Sequence, residues 1–145
     1  MVRDNPHIFH MLQLAAHRLR SRADRRGMAV AGVTAAQAGA MFVIAENPGA
    51  TQRLLADALR QQESAVTTMV SRLMSADLAE RRPHPEDARA WALHLTPKGK
   101  KALRLIKVEI DLINDALTSA LGPRGMEQLA KSLNEILSLD LADQL

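Results

Sequence analysis

The sequence predicts a mainly α-helical protein with a small β-hairpin wing, arranged as a winged helix-turn-helix with N- and C-terminal dimerisation helices. Three observations favour this fold class. Apolar residues recur at helical spacing through most of the chain. Their period changes to two within residues 78–82 and 91–95, which indicates two short strands. Two short helices with a tight connection come directly before these strands, the order of a helix-turn-helix followed by a wing.

The composition is that of one globular domain. The chain has 145 residues, of which 47% are hydrophobic and 24% are charged, so it can bury a core. No apolar run approaches the roughly 18 to 20 residues that span a bilayer, and residues 1–5 lack the apolar centre of a secretion signal. The absence of cysteine excludes disulfides, thiolate metal sites and a cysteine nucleophile. These features predict a cytoplasmic protein without a membrane segment.

The charge distribution favours an anionic partner. The formal net charge is +3; residues 51–104 contain ten Lys/Arg and six Asp/Glu, whereas residues 105–145 contain three and seven. A basic middle beside an acidic end predicts that the middle faces the anion, although ordinary surface charge is the alternative. The aromatic residues are Phe9, Phe42 and Trp91, too few for the stacking platforms that readers of RNA and single strands use. Duplex DNA is therefore the favoured polyanion.

The first two helices are predicted from apolar spacing and from their ends. A first helix should cover residues 6–26, with Gly27 as its stop. Thr34 and Gln37 are spaced as a capping box at the start of a second helix. The turn at residues 47–49 ends that helix.

The remaining elements follow in the order expected of a winged helix. Thr51 is a candidate N-cap for a short third helix, and a fourth helix should cover residues 63–76. A polar, proline-stiffened loop at 83–90 joins the two strands and has the length of a projecting wing. A long fifth helix begins after the second strand with a threonine cap and a proline, and ends at Gly122. A last helix follows it.

The chain is interpreted as a single domain with a DNA-binding lobe at 34–96. Residues 1–33 and 97–145 would supply the dimerisation helices, because their apolar stripes are longer than the small lobe needs. The alternative is that these helices fold back on their own core.

The fourth helix is the candidate recognition helix. Apart from its apolar stripe, it presents small or hydroxylated residues and one arginine. Short side chains allow close approach to the major groove, hydroxyls can bond phosphates or base edges, and arginine can bond guanine in two places. Arg72 could instead complement the helix dipole or form a structural ion pair. The candidate DNA contacts in this region are Thr51, as a phosphate contact, with Gln62, Ser64, Thr67, Thr68 and Arg72.

The loop between the strands is the candidate wing. An arginine on a thin loop can enter the minor groove, where A·T-rich stretches concentrate negative potential. Asp87 stands two residues before Arg89, and we expect it either to pair with that arginine or to fix the loop by bonding backbone N–H groups. The candidate DNA contacts of the wing are Arg82, His84, Asp87 and Arg89.

Four segments together resemble the MarR family of regulators, and the resemblance covers residues 34–103. It implies a triangular homodimer with recognition helices in the major groove of double-stranded DNA and wings in the minor groove. It also implies a repressor that is often released by a small molecule bound between the dimerisation helices and the lobe. Such a dimer would prefer an inverted repeat with half-sites about 34 Å apart. The segments are TQRLLA at 51–56, SAVTTMVSRL at 64–73, PEDARA at 85–90 and LHLTPKG at 93–99.

Several positions depart from the family pattern. Ala88 stands where the family often has arginine or lysine, and Asp77 stands where glycine usually ends the recognition helix. Gln61 and Gln62 replace an apolar residue and a helix cap, so Gln62 is a poor cap that could reach DNA instead. Ala88, Gln61 and Gln62 motivate an alternative: a helical protein-interaction or ligand-binding module that has lost DNA binding.

No motif indicates catalysis. The sequence contains no phosphate loop, metalloprotease motif or nucleophile elbow, so we expect neither an enzyme nor a bound cofactor. His7, His10 and His17 could share a helix face, but surface or interface roles are favoured over a metal site.

Overall fold

The computed structural model, which describes residues 7–141, has the predicted winged-helix architecture. Its described residues fall into two compact units, 7–109 and 110–141. The two strands form one antiparallel hairpin. The elements are α1 (Ile8–Ala31), α2 (Ala35–Glu46), α3 (Gln52–Leu59), α4 (Glu63–Ser75), β1 (Ala79–Pro83), β2 (Trp91–Leu95) and α5 (Pro97–Leu137).

The first helix ends later than the sequence predicted. α1 continues through Gly27 and stops at Gly32, which has a left-handed φ of 65°. Gly27 as the stop was wrong, because it is needed for close packing: the Val33 carbonyl oxygen lies 2.4 Å from where its Cβ would be. The predicted start of this helix at Pro6 lies outside the described residues.

The predicted helix caps are confirmed. Thr34 Oγ1 accepts the Gln37 N–H at 3.2 Å, and Gln37 Oε1 accepts the Thr34 N–H at 2.9 Å, which completes the capping box. Thr51 caps α3 through an N–H···Oγ1 bond of 3.1 Å, and Thr96 caps α5 through one of 2.9 Å. Such caps satisfy N–H groups that would otherwise lack a partner within the helix.

The long fifth helix breaks where the sequence predicted. Gly122 has φ 72° and ψ 169°, values outside the helical region, and Pro123 follows it. Asp77, which stands after α4 where glycine is usual, has a left-handed φ of 59°. Aspartate adopts this conformation more readily than most residues, although at some cost.

The core of unit 7–109 holds the hairpin against the helices. Leu93 is fully buried and forms an isolated bridge with Ala50. Its carbonyl accepts the Gly49 N–H and its own N–H donates to the Ala50 carbonyl, both at 2.8 Å. This bridge fixes the base of the hairpin beside the start of α3. The largest fully buried side chains are Met41, Ile44, Leu55, Leu73, Leu93, Val33, Val66 and Val70.

Two polar contacts fix the C-terminal part of α1 within the same unit. Arg26 donates from Nε and Nη2 to the two carboxylate oxygens of Glu109, at 3.0 and 2.8 Å. The hydrogen bonds from Arg26 lower the pKa of Glu109, while burial opposes this and the nearby charges of Arg26 and Arg22 assist it. Asp24 Oδ1 accepts the N–H of Ala35 at 2.7 Å, which holds the start of α2.

No single helix within residues 7–141 has both the length and the apolar character to cross a membrane; α1 and α2 pass such a test only when they are taken together across a bend of 71°.

Candidate nucleic-acid interface

A tight turn joins α3 to α4. Arg60 ends α3 with a left-handed φ of 52°, and Gln61 donates its N–H to the Ala56 carbonyl at 3.0 Å. Gln62 takes the N-cap backbone conformation, but its side chain makes no capping hydrogen bond to α4. The exposed Gln62 side chain is therefore available at the start of α4, as expected of a poor cap.

The predicted recognition face of α4 points to solvent. Val66, Val70 and Leu73 are buried and anchor one side of this helix to the core. The opposite side is free of large apolar groups, so it can approach another surface closely. Its exposed residues include Ser64, Thr67, Thr68, Ser71 and Arg72.

The two threonine hydroxyls of this face are oriented by backbone and side-chain acceptors. Thr67 Oγ1 lies 2.9 Å from the Glu63 carbonyl oxygen and 3.1 Å from Gln52 Oε1. Thr68 Oγ1 lies 3.3 Å from the Ser64 carbonyl oxygen. Because the hydroxyl protons are engaged within the protein, the hydroxyl oxygens of these two exposed threonines are left to accept hydrogen bonds. Such a surface suits donors on base edges.

Hydrogen bonds fix the backbone of the wing loop. Asp87 Oδ1 accepts the N–H of Arg89 at 2.9 Å, and the Asp87 carbonyl accepts the N–H of Ala90 at 3.1 Å. His84 Nδ1 accepts the N–H of Glu86 at 3.1 Å, which braces the other side of the loop. Of the two roles considered for Asp87, the structure has the backbone one. The Arg89 guanidinium is exposed and forms no ion pair with any described residue.

Consecutive arginines occupy opposite faces of the hairpin. Arg81 pairs with Leu93 in the strand register, and its guanidinium carbon lies 5.2 Å from the centroid of the Trp91 ring. Arg82 lies on the other face, where its Nε donates to Glu80 Oε1 at 3.1 Å. Side chains alternate across a strand, so only one of the two can face α4. The structure places Arg82, the residue expected to contact DNA, on the face away from Trp91.

A recess joins the N-terminal end of α3, one flank of α4 and the base of the wing. It brings together three of the predicted contacts, and none of the described residues that line it is acidic. The neighbouring positive charges and hydroxyls suit a phosphate group. The predicted residues here are Thr51, Thr67 and Arg89, and the recess adds Gln52, Arg53, Arg81 and Trp91.

The other flank of α4 faces the start of α2. Arg72 lines a shallow depression there together with Gln37, Gln61 and Thr68. Arg72 forms no ion pair within the described part of the chain, so the structural pair considered for it is absent. Arg72 and Thr67 therefore lie on opposite flanks of one exposed helix face.

A separate cavity of about 530 Å³ lies between α2, the hairpin and the first turns of α5. Arg82 and His94 reach it from the hairpin, and Leu103 reaches it from α5. Its volume is in the range of small-molecule sites. The cavity is therefore a candidate ligand site on the face of the hairpin opposite Trp91.

The histidines of the first helix are exposed. His7 is the N-cap of α1, and His10 and His17 lie along it. Across residues 7–141, no three potential ligands gather closely enough to hold a metal ion.

Sequence comparison identifies relatives of known class. A model of the MarR family matches residues 31–90. A Thauera aromatica protein named for transcriptional regulation of the hcr operon is 40% identical over 76 residues, which are 52% of this chain and 46% of that protein. The Clostridium symbiosum HTH-type transcriptional regulator BilQ is 31% identical over 96 residues, 66% of this chain and 67% of the regulator. The chain thus spans about half the length of the first relative and two thirds of the second.

A solved structure agrees with these relatives. The transcriptional repressor CouR, bound to a 23-mer DNA duplex, superposes with a TM-score of 0.74 at 26% identity, covering 91% of this chain and 96% of CouR. The chain belongs to the MarR family of transcriptional regulators. The fold class and the family resemblance predicted from the sequence are confirmed.

Proposed function

We propose that this protein is a sequence-specific regulator that binds duplex DNA through α4 and the wing. The observation that carries the proposal is the recess in which Thr67 of α4 and Arg89 of the wing line one surface. Two elements that share a surface can contact one stretch of duplex at the same time. With α4 in the major groove, the wing would extend along the backbone toward the adjacent minor groove.

The roles of the candidate residues follow from their positions. Ser64 and Thr68, on the outermost part of α4, would contact base edges, and Gln62 would contact DNA at the start of that helix. Arg72 and the recess residues, Thr51 included, would bind phosphates on either flank. Arg89, and His84 beside it, would approach the minor groove, with Asp87 holding the loop.

The active species would be a homodimer on an inverted repeat. In α1, Ile8, Phe9 and Met11 have exposed fractions of 46, 74 and 57% in the single chain. Within unit 110–141, Leu112 and Leu121 are likewise exposed, at 53 and 44%. Soluble monomers rarely leave so many large apolar groups in water, and a second copy could cover them. Residues 34–96 would then serve as the DNA-binding lobe and the outer helices as the dimerisation region.

The protein would act in the cytoplasm by binding, without catalysis. Repression requires that it occupy its operator until a signal releases it. A small molecule in the cavity between α2, the hairpin and α5 would supply that signal, because the cavity touches the same hairpin that carries the wing.

Selection of genomic fragments with the purified protein, followed by a salt titration of the best fragment, tests this function. The logarithm of the association constant should fall linearly with the logarithm of salt concentration, with a slope of about −0.9 per phosphate contact. A dimer that uses about six to ten phosphates would lose affinity steeply. Failure to enrich any fragment, with capture of a protein partner at equal stoichiometry, would instead support the protein-interaction module.

A further inference from the structure

Trp91 is a half-exposed tryptophan at the start of β2. It is the only tryptophan in the sequence, and the residue is 48% exposed. It lines the recess beside α4, whose other lining residues are polar or basic except for Ala90. A ring that stays half in water among such neighbours contributes less to the core than a buried one. The face of an aromatic ring also attracts cations, so the contacts of Trp91 within the recess indicate its role.

The register of the hairpin places Arg81 beside this ring. Arg81 pairs with Leu93, and Trp91 stands two residues before Leu93, so Arg81 and Trp91 are diagonal neighbours on one face of the hairpin. The guanidinium carbon lies 5.2 Å from the ring centroid, within the limit of about 6 Å for a cation–π contact. Since Arg81 forms no ion pair within residues 7–141, the indole ring is the electrostatic partner that restrains its guanidinium.

A guanidinium held over a ring can still bind a phosphate. The ring attracts the positive charge of the group, whereas hydrogen bonds use the N–H donors at its edges. A phosphate can accept two of these bonds at once. The contact of Arg81 with Trp91 and a bond to DNA are therefore compatible, and the first need not break for the second to form.

The benefit of the contact is that Arg81 is ordered before DNA arrives. A free arginine side chain samples many rotamers and loses this freedom on binding, and restraint in advance reduces the loss. A carboxylate would restrain an arginine as well, as Glu80 does for Arg82 on the other face of the hairpin. A carboxylate would, however, compete with phosphate for the same N–H donors, and a ring does not. A tryptophan is thus the better partner for an arginine that binds phosphate.

We propose that Trp91 is a positioning residue for DNA binding, whose ring holds Arg81 in the recess where it binds a phosphate. This inference rests on the proposed DNA-binding function and adds to it a residue that the sequence did not mark as part of the interface. Its consequence is specific: loss of the ring weakens DNA binding only through Arg81.

A double-mutant cycle tests this consequence. The Kd for a selected DNA fragment would be measured for the wild type, Trp91→Leu, Arg81→Gln and the double variant. Trp91→Leu should weaken binding by about 2- to 5-fold, the range for a cation–π contact at an exposed site. In the Arg81→Gln background the same substitution should have no further effect. Trp91→Phe, which keeps a ring, should bind more tightly than Trp91→Leu.

Two results of this cycle would overturn the proposal. An equal loss from Trp91→Leu in both backgrounds would show that Trp91 acts independently of Arg81. Equal losses in Trp91→Phe and Trp91→Leu would show that the ring face is not what matters. Absence of DNA binding by the wild type would instead refute the proposed function, and this role with it.

The contact itself is tested without DNA by the fluorescence of Trp91. Because no other tryptophan contributes, quenching by the neutral molecule acrylamide reports the accessibility of this ring alone. Arg81→Gln should be quenched more strongly than the wild type, since the guanidinium no longer covers the ring. Lys101→Gln is the matched control, because Lys101 is an exposed cation of α5 that does not line the recess, and it should be quenched like the wild type. Equal quenching of all three proteins would refute the contact even if DNA binding is intact.

Discussion

Arg81 and Arg82 are adjacent in the chain but lie on opposite faces of the hairpin, one above the Trp91 ring and the other beside Glu80. Strand alternation alone requires this separation. It divides the hairpin into a face that borders α4 and a face that borders the cavity. A pair of neighbouring arginines can therefore serve two binding surfaces.

The first prediction concerns Arg81. Arg81→Gln should weaken DNA binding and reduce the steepness of the salt dependence by about one unit of slope, because one phosphate contact is lost. The effect should be similar for all DNA sequences. Binding would be measured by titration of a selected fragment and of an unrelated duplex over a range of salt concentrations.

Lys101→Gln provides the control for this prediction. It removes one positive charge from an exposed position outside the recess. If this control lowers the slope as much as Arg81→Gln does, the effect is one of net charge and the recess has no special role.

The second prediction concerns Thr68. Thr68→Val keeps the shape of the exposed side chain but removes the hydroxyl oxygen, which can accept a hydrogen bond from DNA. Discrimination at the contacted base pair should fall by about 1 kcal/mol, or roughly fivefold in relative affinity. The salt slope should not change, because no phosphate contact is lost. Competition between the selected fragment and single-base variants measures this directly.

Thr118→Val is the matched control for Thr68. Thr118 lies in α5 and makes the same bond to its own helix, with Oγ1 2.9 Å from the Asn114 carbonyl oxygen. Both substitutions therefore have the same local effect on a helix. An equal loss of discrimination in the two variants would contradict a base contact by Thr68.

Local chemistry made much of this structure predictable from the sequence. The capping box of Thr34 and Gln37 depends on two residues three positions apart, and the caps at Thr51 and Thr96 are equally local. The left-handed conformation of Asp77 has an equally local origin, since this residue follows a helix at a position where glycine is usual.

Tertiary contacts account for what the sequence did not reveal. Gly27 resembles a helix stop in the sequence, but the structure requires glycine there for another reason. The backbone of Val33 passes so close that a Cβ at position 27 would clash with it. The position of Arg82 depends on the register of the hairpin and on which face of the hairpin meets α4. Neither can be predicted from the residues next to Arg82 in the sequence. The contribution of Gln52 to the recess depends on the packing of α3 beside α4. The roles of the candidate residues toward DNA stay predictions.

The third prediction concerns close packing at Gly99. A Cβ at this position would lie 1.9 Å from the Leu78 carbonyl oxygen, and backbone cannot yield as a flexible side chain can. Gly99→Ala should therefore lower the free energy of unfolding by about 3 kcal/mol or more. Urea denaturation followed by circular dichroism gives this value.

Gly39→Ala is the control for Gly99. Its Cβ would meet only Leu59 Cδ2, at an ordinary contact distance of 3.7 Å. Since alanine favours a helix over glycine, Gly39→Ala should be neutral or stabilise the protein by up to about 1 kcal/mol. A Gly99→Ala variant as stable as Gly39→Ala would show that α5 can move away from Leu78 at little cost.

The last prediction concerns the pH dependence of stability through Glu109. Hydrogen bonds from Arg26 lower the pKa of Glu109 in the folded protein. Its stabilising effect is therefore present above the ordinary glutamate pKa of about 4.3 and is lost as pH falls through the lower folded value. Glu109→Gln should have a lower Tm than the wild type near neutral pH, and this difference should shrink as pH falls below about 4.

Thermal unfolding of both proteins between about pH 7 and pH 3 measures this difference. Asp111→Asn is a suitable control, because Asp111 is an exposed carboxylate on the same helix that forms no ion pair within the described residues. The Tm of Asp111→Asn should equal that of the wild type at every pH. Glutamine has the same length as glutamate but no charge, so a constant gap between wild type and Glu109→Gln would mean that the titration of Glu109 does not account for the stabilisation. Arg26→Lys separates the two explanations, because lysine keeps the positive charge but cannot form the paired hydrogen bonds of the guanidinium. If those bonds to the Glu109 carboxylate stabilise the protein, Arg26→Lys should be less stable than the wild type near neutral pH. If they do not, the two proteins should be equally stable.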